Sequence, residues 1–186
     1  DIPLLVENFL EKYGHKIGKR GLRVAPEAEA LLLAHSWPGN IRELDLFVLE
    51  RSLAQLEQWR SAGLGIVPVA VNLSRATLVH PSTLASVLAI QSRYPEIPAS
   101  ALELEITERG GGGDTAAFRA IVDQFHACGL RLSLDDFGSQ YANLALFTNV
   151  KFDVIKMDRS LIADVVHNPI TQTLVQDIVQ ICRTHH

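Results

Sequence analysis

The strongest constraint on this chain is a series of four short apolar runs, rich in Val, Ile and Leu, that alternate with helix-like stretches after Gly65. The runs are VPVAVNL (67–73), LELEIT (102–107), LRLSLDD (130–136) and FDVIKMD (152–158), with helical segments expected over 82–94, 114–128 and 141–148. Marked by Val71, Leu104, Leu134 and Ile155, the runs are spaced 33, 30 and 21 residues apart. That is the length of a strand with its crossover helix, and the order β-α-β-α-β-α-β winds a parallel sheet. The expected fold class is therefore α/β. A last helix is predicted to carry Ile170, Leu174, Ile178 and Ile181 on one face.

The first third reads as helix. Val6, Leu10 and Tyr13 recur at helical spacing, and Pro26 opens a second helix that Pro38 and Gly39 stop. Asn40, with Glu43 three residues on, makes a capping box for a third helix that runs to about Ser61. Its Leu46, Leu49, Leu53 and Leu56 share one face, and two heptads are too few for a coiled coil, so this face is assigned to core packing. A length of 186 residues means one ordinary domain or two small pieces. With 47% hydrophobic and 20% charged residues the chain can build a core, which excludes disorder as its default state. A net charge of −4 supplies no basic field, so direct nucleic-acid binding is not expected. Cys128 and Cys182 are the only cysteines, too few for a disulfide framework or a thiolate zinc site, which points to a reducing, cytoplasmic setting. No apolar run approaches the 18 residues of a membrane span, and the first residues lack an export signal. The four glycines at 110–113 read as a flexible loop.

Each apolar run ends with side chains that break its pattern: Asn72, Glu105 with Glu108, the pair Asp135 and Asp136, and Lys156. Carboxyl ends of parallel strands open on one face, so these distant residues are expected to converge there. An amide, several carboxylates and an amine form the oxygen-rich set that Mg²⁺ or Mn²⁺ takes, and adjacent aspartates can serve two ions. The chemistry suggested is two-metal hydrolysis of a phosphate ester. A single carboxylate at a strand end is as readily a helix cap; four strands in series make the site reading the stronger one. Glu103 alternates with Leu102 and Leu104, reads as solvent-facing, and is left out of the site. Lys156 stands in an apolar strand, where an ammonium needs an acid partner, and neighbouring strand ends supply one.

VNLS at 71–74, ELEITE at 103–108, LSLDDFGS at 132–139 and VIKMDRSL at 154–161 resemble, in order and spacing, the motifs of EAL-domain phosphodiesterases. The resemblance covers about residues 44–184 and includes the helix ELDLFVLERSLAQLEQWRSAGL. It implies a TIM-like (β/α) barrel that hydrolyses cyclic di-GMP to linear pGpG with two Mg²⁺ or Mn²⁺ ions. By motif, Asn72, Glu105 and Asp135 resemble ligands of the first metal, and Asp135 and Asp136 those of the second. Lys156 resembles the lysine that positions the attacking water, and Glu108 the glutamate that holds the loop after Asp136.

The sequence also departs from the family. The Glu-Ala-Leu strand, with its metal-binding glutamate and substrate-binding arginine, is expected some 30 residues before Glu43 and is not found there; Glu29-Ala30-Leu31 lies in a predicted helix and is read as coincidence. The strand bearing a second catalytic glutamate is expected after His186, and Gln140 stands where the family usually has glycine. Residues 1–44, above all WPGNIREL, resemble the lid of the AAA+ domain in sigma-54-dependent activators, in which the arginine of this motif, here Arg42, senses nucleotide; a solvated arginine is the preferred reading. GHKIGKR is no Walker A loop, so ATP hydrolysis is excluded. The expected organisation is thus a helical segment over 1–44 followed by an incomplete EAL-type barrel over 45–186. Two functions compete: a phosphodiesterase that is inactive or weak alone, and a non-enzymatic module that binds a nucleotide or a partner protein. Whether the chain is an enzyme is left open at this point. The outer strands, VPVAVNL and FDVIKMD, are expected to pair with a second copy and give a homo-oligomer, or else the N-terminal helical segment is expected to pack over the exposed apolar surface, with poor solubility if neither occurs.

Overall fold

The computed structural model describes residues 40–107, 114–139 and 144–185, and before them only residues 10, 23–26, 30 and 33. The chain divides into two compact units, residues 1–40 and 41–186. The predicted helices over the first third before Asn40 lie almost wholly outside the described residues, as do Glu108, the glycines at 110–113 and Gln140.

The first helix whose bounds are described is α1, Asn40–Ser61, which lies in the second unit from Ile41 onward. Its leucines obey the spacing read from the sequence: Leu49, Leu53 and Leu56 are fully buried and Leu46 packs against the same cluster. The core takes this face, as expected. Strand β1, Val69–Asn72, follows, then the single-turn helix α2, Arg75–Leu78, and α3, Thr83–Gln91. A 3₁₀ turn at Ala99–Ala101 leads into β2, Leu102–Thr107, and α4, Thr115–Ala127, leads into β3, Arg131–Phe137. The order closes with α5 (Leu144–Asn149), β4 (Val154–Met157), the short α6 (Arg159–Ile162) and α7 (Pro169–His185).

The four strands among the described residues are parallel and adjacent in chain order, β1-β2-β3-β4. This is the α/β arrangement that the run spacing predicts. β1 and β4 start two residues later than their apolar runs, and α2 and α6 were not predicted, because a helix of one turn has no period to detect.

Register decides what each face of the sheet carries. Side chains of paired residues point to the same side, and neighbours along a strand point to opposite sides. One side holds the rows Val71–Leu104–Leu132 and Ile106–Leu134–Ile155. Leu104, Leu132 and Leu134 are wholly buried there, in one cluster with Phe118, Val122 and Phe125 of α4 and with the α1 leucines. The other side holds the rows Ala70–Glu103–Arg131, Asn72–Glu105–Ser133–Val154 and Thr107–Asp135, and Lys156, two residues beyond Val154, falls on it as well. The sheet is apolar on its helix-covered face and charged on the other.

Candidate active site

Three strands bring the charged face together. From β4 the Lys156 ammonium donates to Glu105 Oε2 on β2 at 2.7 Å and lies 3.6 Å from Glu103 Oε1. Arg131 on β3 approaches Glu103 Oε2 at 3.8 Å. The acid that Lys156 requires is therefore Glu105, two strands away. Burial pulls the Lys156 pKa down, but the Glu105 hydrogen bond and the charges of Glu105, Glu103 and Asp135 outweigh it and leave it above its usual value. Lys156 stays an ammonium: it can donate a hydrogen bond or steady an anion, and it cannot serve as a base at neutral pH.

Glu103 corrects an expectation. Simple alternation placed it in solvent, yet it is only 8% exposed, on the same face as Glu105 and within reach of both Lys156 and Arg131. The apolar neighbours that suggested a solvent face for Glu103 point instead into the helix-covered core. The signal that could have found it is the two-residue spacing from Glu105, which forces both acids onto one side of the strand.

Asp135 lies at the paired position of Thr107, next to Glu105. Partial burial pushes its pKa up to about 6; a backbone hydrogen bond from Asp136 opposes this, and the charge of Glu105, the charge of Asp136 and a hydrogen bond shared with Glu105 add to it. Two carboxylates thus crowd one spot. Asp136 is buried at 8% exposure and has φ +57°, a left-handed backbone rare outside glycine. The cause is a bulge: β3 pairs with β4 through Leu134–Ile155 and then Phe137–Met157, so β3 carries one residue more than its partner. The bulge falls at Asp135 and Asp136, across from Lys156 on β4. Gly138 follows with φ +88°, and a Cβ there would meet Leu161 Cδ2 at 2.6 Å, so the turn after the aspartates requires glycine.

Asn72 ends β1 at the position paired with Glu105, exposed on the outer strand. The loop beyond it is tied down by a residue the sequence reading missed. Asp45 Oδ2 of α1 accepts from the Ser74 backbone N–H at 3.0 Å and from the buried Thr77 hydroxyl at 2.6 Å, while Ser74 Oγ caps α2 by accepting from Thr77 N. An acid in the first turns of an amphipathic helix gives no sequence signal of such a reach across 29 residues. Arg42, expected in solvent, donates through Nη2 to Ser82 Oγ at 2.5 Å and Ser86 Oγ at 3.3 Å, so its head group braces α1 against α3.

The donor chemistry suits a hard divalent cation in a limited way. Among the described residues no three His, Cys, Asp or Glu side chains are grouped as metal ligands. Glu105, Asp135 and the Asn72 amide supply two carboxylates and one neutral oxygen, the kind of partial cage in which magnesium-type ions keep waters or bind phosphate oxygens. The raised Asp135 pKa reports negative charge that such an ion would relieve.

A parallel α/β sheet with carboxylates and a charged lysine at its strand ends defines the barrel-type class whose sites lie on that face. Comparison with known proteins places the chain more narrowly: residues 18–186 match the EAL domain model, and the chain belongs to the EAL-domain family. The cyclic di-GMP phosphodiesterase PA2567 of Pseudomonas aeruginosa is 30% identical over 139 residues, which are 75% of this chain and 23% of that protein. Among solved structures, the EAL domain of Mycobacterium smegmatis DcpA superimposes with a TM-score of 0.69 at 29% identity, covering 77% of this chain and 65% of that one. The phosphodiesterase of MucR from Pseudomonas aeruginosa, in complex with c-di-GMP, gives a TM-score of 0.67 at 31% identity, covering 78% and 59%. The chain therefore spans about a quarter of the curated relative and roughly three fifths of the solved domains. Domains of this family are metal-dependent. The match begins at residue 18, within the segment that resembles an AAA+ lid, and the lid resemblance gains no support from these comparisons. No helix among the described residues is long and apolar enough to cross a membrane.

Proposed function

We propose that the charged sheet face binds cyclic di-GMP with Mg²⁺ or Mn²⁺ and hydrolyses one of its phosphodiester bonds to give linear pGpG, weakly when this chain acts alone, in the cytoplasm. The observation that carries the reading is the convergence of Lys156, Glu105 and Asp135 from three adjacent strands. The family membership and the cyclic di-GMP relatives support the choice of substrate.

In this reading Asn72, Glu105 and Asp135 hold a first cation, and Asp135 with Asp136 a second. The bound cations supply Lewis-acid screening of the phosphate and a more acidic water. Lys156, held as an ammonium, donates to the attacking water and orients its oxygen toward phosphorus; it takes no proton. The bulge at Asp135–Asp136 and the Asp45 contacts to the Ser74 loop keep these side chains in register. Glu108 is assigned the role of ordering the loop after Asp136. The proposal also keeps a helical segment over 1–44 ahead of the barrel-type part from Asp45.

Weak activity follows from the donor count. Three carboxylates and an amide are a sparse set for two ions, and each ligand or catalytic acid lacking costs several kcal/mol of transition-state stabilisation, or orders of magnitude in rate. The test is chromatographic detection of pGpG from cyclic di-GMP with Mn²⁺. Slow, Mn²⁺-dependent product that disappears in Asp135→Ala supports the reading; a rate equal to that of the MucR phosphodiesterase, or product that survives the substitution, contradicts it.

A further inference from the structure

Lys156 has two acids in reach and bonds only one of them. Glu105, its 2.7 Å partner, is also the carboxylate assigned above to a cation. If a cation draws Glu105 away, an ammonium whose side chain is 34% exposed and partly withdrawn from water loses its hydrogen-bonded acid unless another takes over. Glu103 stands ready at 3.6 Å, its own side chain 11% exposed and steadied from the far side by Arg131 at 3.8 Å. The four groups form a line of alternating charge, Arg131–Glu103–Lys156–Glu105, across β2, β3 and β4.

We propose that Glu103 is a positioning residue that offers Lys156 a second seat, so that Glu105 can pass from the ammonium to a divalent cation without stranding Lys156 unpaired. The inference rests on the reading of Glu105 as a cation ligand. It makes a prediction that simple charge at position 103 does not: the effect of Glu103 on cation binding must run through Lys156.

The experiment measures binding of Mn²⁺ alone to the full chain, by the electron paramagnetic resonance of free Mn²⁺, with circular dichroism confirming the fold of each variant. Glu103→Gln is expected to weaken Mn²⁺ about tenfold, within the range of couplings between contacting residues. In a Lys156→Met background the same change should shift affinity by less than about twofold, since the intermediary is gone. Glu103→Asp keeps the charge but withdraws it from Nζ, and should weaken Mn²⁺ as Glu103→Gln does; it also serves if the glutamine variant fails to fold. An equal loss with and without Lys156, or full affinity in Glu103→Asp, overturns the proposal while leaving Glu105 as a ligand. A wild-type chain that binds no Mn²⁺ overturns that assignment and this inference together.

Discussion

Lys156 and Asp135 are opposite solutions to the same problem, a charge on a face that is partly withdrawn from water. The lysine is satisfied by Glu105 and stays charged. The aspartate faces a carboxylate and is pushed up to about 6 from an ordinary value of 3.8. Its folded-state pKa lies above its unfolded one, so the folded chain holds the proton more tightly, and the stability this provides is fully present below about pH 3.8 and lost as pH rises through about 6. In the presence of EDTA, Asp135→Asn removes that loss. The variant should therefore gain on the wild type in melting temperature between pH 4 and pH 7, and a difference that does not change with pH would contradict the assignment. Lys156 itself was legible in the sequence, since an ammonium in an apolar strand needs an acid. Which acid was not, because pairing across β2 and β4 depends on register that residue types alone do not specify.

Among the elements, β3 combines regular pairing with a deliberate break. Leu132 and Leu134 fill the core, the bulge falls at Asp135 and Asp136, and Gly138 closes the turn against Leu161. A side chain at 138 is strained both by φ +88° and by the approach of Leu161, so Gly138→Ala should cost about 1–3 kcal/mol. Urea denaturation measures this, and an unchanged midpoint would show that the turn relaxes freely. The strands were readable because parallel strands under helices are near-continuous apolar runs, and α1 because its leucines repeat at helical spacing over about three turns. The bulge left no such trace, as an added residue shifts pairing without changing composition. Alternation misled at Glu103 for a related reason: in a sheet with one helix-covered face and one charged face, an acid between leucines marks the charged face and not water.

At the scale of the molecule, the four described strands form a sheet whose outer members are β1 and β4, the two named from the sequence. Outer strands that carry apolar residues invite pairing with another chain. An edge-paired homo-oligomer is accordingly predicted for the isolated chain, and light scattering coupled to size-exclusion chromatography checks it; a sharp, soluble monomer at high concentration would rule it out. The apolar face, the sheet order and the meeting of Lys156, Glu105 and Asp135 from three strands followed from run spacing and the placement of polar residues. What sequence spacing did not supply is the donor count of the site, which depends on how Glu105, Asp135 and Lys156 compete for one another once they meet.

A cation-dependent cyclic di-GMP site on this charged face, as proposed, is tested by calorimetric titration of the chain with cyclic di-GMP. Binding is expected to require Mn²⁺ and to fall at least tenfold, about 1.4 kcal/mol, in Asp135→Ala. Binding that is equally strong in EDTA, or that is unchanged by the substitution, would contradict it.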